Sequence, residues 1–427
     1  MLLPILFTGV AAIVAIGSAW AQPTDPASLN DLVNRAVQNN RDLLAVRQRI
    51  DEAKGLLRQA GVRPALNLDV GGVTGRPLAT LGEEQFSAGI SREFETAGKR
   101  SKRIEVATKL LALAEAEYQD RVRQLRFELG TRYADFAADL ERVGVIDRWI
   151  EATRRSIEIT RARVDKGDAA VLELNLQEAE LGRAEAQGAA LTGRVESARA
   201  DISRHAGLSV GEAWTATPQA DSVPLRKADL VTQALEQRPD LKIMRLLEEQ
   251  GIAEAGLAEA EARPNVTVSA SYGRVYSRFD DQFGTTPAGQ PVPLRDRDDV
   301  LSVGVSVPLF SRNRNLGNIE AAVARTKAAR LRKEYLERAI PLEIEAGWQR
   351  MVSARRALAS LSQETLPLAE KNLGVIRQAY QLGQLRMLDV LNEQRRVLDI
   401  QLATIDTHVE LRRSIVELER ASGGSIQ

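Results

Sequence analysis

The chain has 427 residues and balances 58 Lys+Arg against 58 Asp+Glu, and no basic patch interleaved with aromatics stands out, which argues against nucleic-acid binding. It has no cysteine, which excludes disulfides, thiolate metal sites, a thiol nucleophile and an N-terminal lipid on Cys. Aromatics make up only 4%, and Ala, Leu, Glu, Arg and Gln dominate, the makeup of long helices with narrow packing seams.

Residues 1–21 are apolar and end in Ala19-Trp20-Ala21, the pattern of a signal peptide cut before Gln22. No Lys or Arg precedes the apolar run, so a membrane anchor is the competing reading. No later run of about 18 apolar residues occurs, so no spanning helix is expected. Ser28 to about Gly61 reads as one helix, with Ser28 as N-cap and Leu29, Leu32, Val33, Ala36 and Val37 on one face. Arg63-Pro64 ends it.

The period then changes to two. In Ala65 to Thr74, Leu66, Leu68 and Val70 alternate with Asn67, Asp69 and Gly71. In Phe86 to Ser91, Phe86, Ala88 and Ile90 alternate with Ser87, Gly89 and Ser91. These are strands with one apolar and one small polar face, joined by a loop over Gly75 to Glu84. From about Gly98 to Lys166 the helical period returns without a proline, a run that reaches roughly 100 Å at 1.5 Å per residue. Its Ala-rich seam (Ala107, Leu110, Leu111, Ala114) predicts packing on neighbouring helices. Gly167 marks a turn, Asp168 to about Ala206 is the returning helix, and Gly211 to Leu225, with Pro218 and Pro224, is a connector.

The order then repeats. Asp229-Leu230-Val231 matches Asp31-Leu32-Val33, and Arg238-Pro239-Asp240-Leu241 matches Asn40-Arg41-Asp42-Leu43. Asn265 to Tyr276 and Val300 to Val307 read as strands, with Ser277 to Asp299 between them as a long Gly/Pro/Asp loop. A second long helix runs from about Leu316 to Gln381, with kinks expected at Pro341 and Pro367. Gly383 then repeats the turn at Gly167, and both returning helices begin with an acid, Glu173 and Asp389. The resulting division is 1–21 signal peptide, 22–207 first repeat, 208–227 connector, 228–421 second repeat and 422–427 tail.

The fold class is therefore mainly α with a small β part, four strands per chain. A four-stranded sheet cannot close, and open edges are not tolerated in lipid. Closure takes about eight strands or more, so more than one copy is required; three copies are favoured and give twelve strands. A soluble β-sandwich with helical arms is the alternative, and it leaves the repeated order unexplained. The strand-to-helix junctions are basic: Lys99, Arg100, Lys102 and Arg103, then Arg312 and Arg314. Positive charge opposes a helix N-terminus, so a partner is expected, either lipid phosphate at a membrane face or plain solvent.

The duplicated order, Arg238-Pro239-Asp240-Leu241 and the tip Tyr380…Gly383…Leu388-Asp389-Val390-Leu391 resemble the TolC-type outer-membrane efflux proteins. Glu93 to Arg100 and Val307 to Ile319 resemble the CzcC-type branch, which serves heavy-metal cation exporters. The resemblance implies a homotrimer whose strands form a pore embedded in outer-membrane lipid. Its helices form a long periplasmic α-barrel, docked at its tips on a membrane-fusion adaptor and an inner-membrane RND pump. Drug efflux, type I protein secretion and, as a different class, a periplasmic coiled-coil adaptor are the alternatives. On this resemblance Asp389 matches a gate acid, with Glu173 as a second layer. The family's second ring acid falls on neutral Asn392, with Glu393 beside it, and its latch arginine falls on Leu385. Arg41 stands where the first repeat usually has Pro. Lys166, Gly167, Leu382 and Gly383 are the expected docking tips. An acid in a first helical turn also serves simply as a dipole or capping residue.

No cofactor or metal site is expected. His205 and His408 lie far apart, and Met244, Met351 and Met387 form no cluster, whereas soft cations want grouped Cys, His or Met. No G-x-S-x-G, P-loop, His-Glu-x-x-His or nucleophile–base pair occurs, so no enzyme is read. Trp149 and Trp348 are read as seam packing.

Overall fold

A computed structural model describes residues 25–74, 83–208, 214–217, 226–309 and 315–424. The signal-like segment 1–21, most of the loop Gly75 to Glu84, and Arg312 and Arg314 lie outside the described residues. The elements are β1 (Asp25–Ala27), α1 (Leu29–Asn39), α2 (Arg41–Ala60), β2 (Leu66–Thr74), β3 (Glu83–Phe94), α3 (Lys99–Asp165) and α4 (Val171–Ala206). Then come β4 (Trp214–Ala216), α5 (Lys227–Gln237), α6 (Pro239–Glu261), β5 (Val266–Thr285), β6 (Pro291–Ser306) and α7 (Leu316–Ala359). A π-helical turn (Ser360–Thr365), α8 (Leu366–Gln381) and α9 (Met387–Ser422) complete the chain. At 67 residues, α3 is about 100 Å long.

Ser28 caps α1 as expected: its hydroxyl accepts from the Asp31 N–H at 3.2 Å while Asp31 accepts from the Ser28 N–H at 3.0 Å. The single helix expected over Ser28 to Gly61 is two, however. It breaks at Asn40, whose ψ of 114° is extended. Asn40 Oδ1 accepts from the Leu43 N–H at 3.0 Å, and Nδ2 donates to the His205 carbonyl at 2.7 Å. A side chain that caps the new helix and reaches the end of α4 replaces the proline that the first repeat lacks.

In the second repeat the same break falls at Arg238, which is 2% exposed. Its guanidinium donates to both oxygens of Asp240 at 3.0 and 2.6 Å, to Glu343 at 2.7 Å and to the Ala421 carbonyl at 3.3 Å. Burial alone pulls the Arg238 guanidinium down, but the bonds to Asp240 and Glu343 outweigh it and hold it above its usual range. Burial raises Asp240, and Arg238 outweighs that in turn and holds its carboxyl low.

Two apolar cores sit at these joints. Leu32, Leu43, Leu129, Phe136 and Ile202 pack in the first, Leu230, Leu241, Ile340, Ile344 and Leu418 in the second. Each such side chain contributes about 1.5–3 kcal/mol by leaving water. Trp149 and Trp348 pack partly buried against seams, as expected. The short strands β1 and β4, parallel partners that close the first core, are not among the expected elements. Trp214 in β4 stacks 4.9 Å from Phe136, and Tyr133 donates to the Ala27 carbonyl at 2.9 Å.

The sheet order is β2-β3-β5-β6, every neighbour antiparallel. Register joins Leu68, Ile90, Ala270 and Val303 in one row, and Val70, Ala88, Tyr272 and Leu301 in the next. The opposite face carries Asp69, Gly89, Ser271 and Ser302. That face is crowded: a Cβ on Gly89 would come within 2.6 Å of the Ser271 Cβ. The apolar face is open, with Leu68 73%, Leu301 76%, Val303 73% and Val305 67% exposed. A sandwich would have buried these residues.

One other expectation needs correction. Ser277 to Asp299 is not a long loop; β5 and β6 extend as a ladder to Thr285↔Pro291, with an irregularity between Phe279 and Phe283. Backbone pairing carries this hairpin past the point where apolar alternation ends. The second long helix is also interrupted, by the turn at 360–365 just ahead of Pro367 in the first turn of α8, while Pro341 lies inside α7.

Candidate functional site at the helix tips

The two hairpins α3–α4 and α8–α9 turn by the same device. Gly167 (φ +80°) and Gly383 (φ +75°) are left-handed, a conformation glycine adopts freely. The Gly167 and Asp168 N–H groups close on the Val164 and Arg163 carbonyls at 2.9 and 2.8 Å. Those of Gly383 and Gln384 close on Tyr380 and Ala379 at 2.9 Å each. These paired bonds satisfy carbonyls the helix end would leave orphaned. Lys166, Gly167, Leu382 and Gly383 are exposed at the two turns. Leu172 is 66%, Leu382 74% and Leu388 49% exposed beside them.

The two acids stand differently. Asp389 is exposed on α9, and its carboxylate accepts from the Arg386 N–H at 3.0 Å, a capping contact. Glu173 on α4 is half-buried and accepts from the Tyr380 hydroxyl at 2.7 Å. Arg163 on α3 donates to that hydroxyl at 3.0 Å and lies over the ring at 5.6 Å. Burial, then the Glu173 bond, holds the Tyr380 phenol above its ordinary range, so it stays a donor. Arg163, Tyr380 and Glu173 thus tie the tips of both hairpins across three helices. Sequence reading missed Arg163, because nothing in its spacing points at a tyrosine 217 residues away.

Asn392 is exposed near the tip, while one Glu393 oxygen is buried with no hydrogen-bond partner among the described residues. Leu385 is 36% exposed. Just above, Gln177 donates to Thr160 at 3.1 Å and to the Met387 sulfur at 3.2 Å, and Arg395 on α9 pairs with Glu180 on α4. Among the described residues no group of three His, Asp or Glu is placed to hold a metal ion.

At the other end of the helices the basic junction has partners inside the chain. Lys99 is 7% exposed and its ammonium donates to the Arg263 carbonyl at 2.6 Å and to Asn265. Arg100 donates to the Gly61 carbonyl at 2.7 Å. Arg103 grips both oxygens of Glu95, whose carboxyl its hydrogen bond holds low. Of the cations that oppose the dipole of α3, Lys99 and Arg100 therefore bind carbonyls just past the ends of α6 and α2, and Arg103 binds Glu95. Lys99 is a helix-end clamp, not an exposed lipid contact.

A sheet with one bare apolar face, long paired helices and a tied pair of helical tips are the arrangement of an outer-membrane efflux channel subunit. The chain belongs to the outer membrane efflux protein family, whose model matches residues 32–208 and 230–424. It is similar to the cobalt-zinc-cadmium resistance protein CzcC of Cupriavidus metallidurans, 24% identical over 402 residues that cover 93% of this chain and 90% of that protein. It is also similar to the cation efflux system protein CusC of Escherichia coli O157:H7, 24% identical, covering 93% and 86%. A solved CusC structure superposes with TM-score 0.75 at 18% identity, covering 93% and 92%. The outer-membrane channel OprN superposes with TM-score 0.72 at 23% identity, covering 93% and 90%.

Proposed function

We propose that three copies assemble into the exit duct of a tripartite pump for divalent heavy-metal cations. The observation that carries this is the open sheet: both edges, β2 and β6, lack a neighbour among the described residues, and its apolar face is bare. Every contact in the sheet is antiparallel, so β6 of one copy meets β2 of the next with the same alternation. Three copies then close twelve strands with no edge left in lipid.

The small polar face lines a wet lumen, and the helices extend it across the periplasm. The two halves, 22–207 and 228–421, act as duplicated arms around one tunnel. The tips close it: Asp389, repeated three times, gives an anionic ring that favours cations, with Glu173, Asn392 and Glu393 behind it. Lys166, Gly167, Leu382 and Gly383 are where a periplasmic adaptor docks, linking an inner-membrane RND pump. The chain is a passive conduit without catalytic chemistry. The likeness to CzcC and CusC supports cations as cargo; metal recognition then belongs to the pump and adaptor.

Outer-membrane vesicles should yield an SDS- or heat-sensitive trimer; recovery as a soluble periplasmic monomer overturns the assembly. In planar bilayers Asp389→Ala should raise conductance or lower cation preference, and unchanged traces remove the gate. Loss of the gene should lower resistance to cobalt, zinc and cadmium; a fall in drug resistance alone points to the drug-efflux branch.

A further inference from the structure

The upper end of the β5–β6 hairpin separates charge by face. The face that is apolar lower down reads along β6 as Val305, Val303 and Leu301, then Asp299, Arg297 and Arg295. Along β5 the same face reads Val268, Ala270 and Tyr272, then Arg274 and Tyr276. Side-chain contacts bear out the shared face: Tyr272 and Arg274 both donate to Asp299, at 2.6 and 2.7 Å, and Arg297 lies 3.8 Å from it. Asp296 and Asp298 alternate onto the opposite, lumen-side face with Ser302 and Gly304. A uniformly solvated hairpin has no reason to set Arg274, Arg295 and Arg297 all on one face, with Asp299, and Asp296 and Asp298 on the other.

We infer that Arg274, Arg295 and Arg297 form a basic belt that binds the phosphates of outer-leaflet lipid headgroups. The belt rests on the twelve-stranded barrel proposed for three copies. It starts where the apolar face stops, at the hairpin-turn end of the sheet, away from the helices. In a membrane barrel that level is the headgroup layer, and tyrosines such as Tyr272 and Tyr276 mark it. On that face Arg274, Arg295 and Arg297 outnumber the two acids, Asp299 and the Glu84 that stands in register with Tyr276, and Arg295 forms no ion pair among the described residues. Arg297 keeps 58% of its side chain exposed. The guanidinium fork matches two phosphate oxygens at once, which an ammonium does not.

The test uses the full-length trimer in detergent, titrated with diphosphoryl lipid A, its dephosphorylated form, or inorganic phosphate, and read by thermal shift and co-eluting lipid phosphorus. Diphosphoryl lipid A should bind at least tenfold tighter than the other two. R295Q/R297Q should lose about tenfold in that affinity, and R295K/R297K should keep part of it. Equal binding of the dephosphorylated lipid, or an unaffected Gln variant, overturns the belt. Inorganic phosphate binding as well as the lipid overturns the lipid assignment. Heat modifiability reports barrel formation separately; should the Gln variant not form a barrel, the wild-type comparison of the two lipids decides alone. A wild-type chain that forms no barrel sinks the trimeric duct itself, whereas a barrel indifferent to lipid phosphate sinks only the belt.

Discussion

The two halves of the chain solve the same two problems, a bend near the start of each arm and a turn at its tip, and solve only the second in the same way. Both tips use a left-handed glycine with the same pair of closing hydrogen bonds. The bends differ in kind. Asn40 is a neutral cap that also reaches the His205 carbonyl, whereas Arg238 is a buried cation held by Asp240 and Glu343 and reaching the Ala421 carbonyl. Each bend therefore docks on the end of its repeat's last helix. The fold requires that docking, and the charge is one means of it. This accounts for Arg41 standing where the second repeat has Pro239: the Asn40 cap fixes the break without a proline.

The sharpest way to break the comparison is Arg238→Ala. It takes the buried guanidinium from Asp240, which keeps only Arg123, at 3.5 Å, as an ion partner among the described residues, and removing one partner of a buried pair costs about 3–5 kcal/mol. The midpoint of chemical unfolding should fall accordingly; a loss under about 1 kcal/mol would show that the two bends are energetically alike. The pH dependence that separates wild type from Arg238→Ala comes from Asp240. Its folded carboxyl lies below the ordinary value, so its stabilisation is complete above the unfolded value of about 3.9. It is lost as pH falls through the lower folded value. Wild type should therefore lose stability below about pH 4, and Arg238→Ala should lose less on the same acidification.

Where the halves agree, substitutions should agree. Gly167→Ala and Gly383→Ala meet no atom within 4 Å, so both carry only the left-handed backbone penalty, about 1–2 kcal/mol of local tip stability. Hydrogen exchange at the two turns should rise equally; a large inequality would mean one tip is strained or supported by contacts the other lacks. Asn40→Ala loses a cap and should cost about 1 kcal/mol, well below Arg238→Ala.

What could be read from the sequence divides along the same line. Alternation of Leu301, Val303 and Val305 with Ser302, Gly304 and Ser306 set the strand and its faces, because period two is a local property. Gly167 and Gly383 marked the tips, since a left-handed turn needs a particular residue. The Asn40 break was invisible because its partner, the His205 carbonyl, is 165 residues away. Strands of three residues such as β1 and β4 carry no period at all. The upper part of β5–β6 looked like a loop because its composition is Gly-, Pro- and Asp-rich, yet ladder hydrogen bonds do not depend on apolar side chains.

The smallest effect concerns the acids at the tips, where the halves differ again. Glu173 is held by Tyr380 from the other hairpin, while Asp389 is held by its own helix start. Tyr380→Phe removes the hydroxyl and leaves the ring over Arg163, so apolar packing survives while the link between hairpins is lost. A half-exposed bond of this kind is worth about 0.5–1.5 kcal/mol, enough to shift a closed-to-open ratio by a few-fold. Tyr380→Phe and Glu173→Ala should therefore raise open probability in bilayers by similar factors, and combining them should add little, because both break the Tyr380–Glu173 bond. Asp389→Asn should leave that coupling intact and change ion preference instead. If Asp389→Asn loosens the tips as much as Tyr380→Phe does, both acids serve as ties and the division of labour between the halves is wrong.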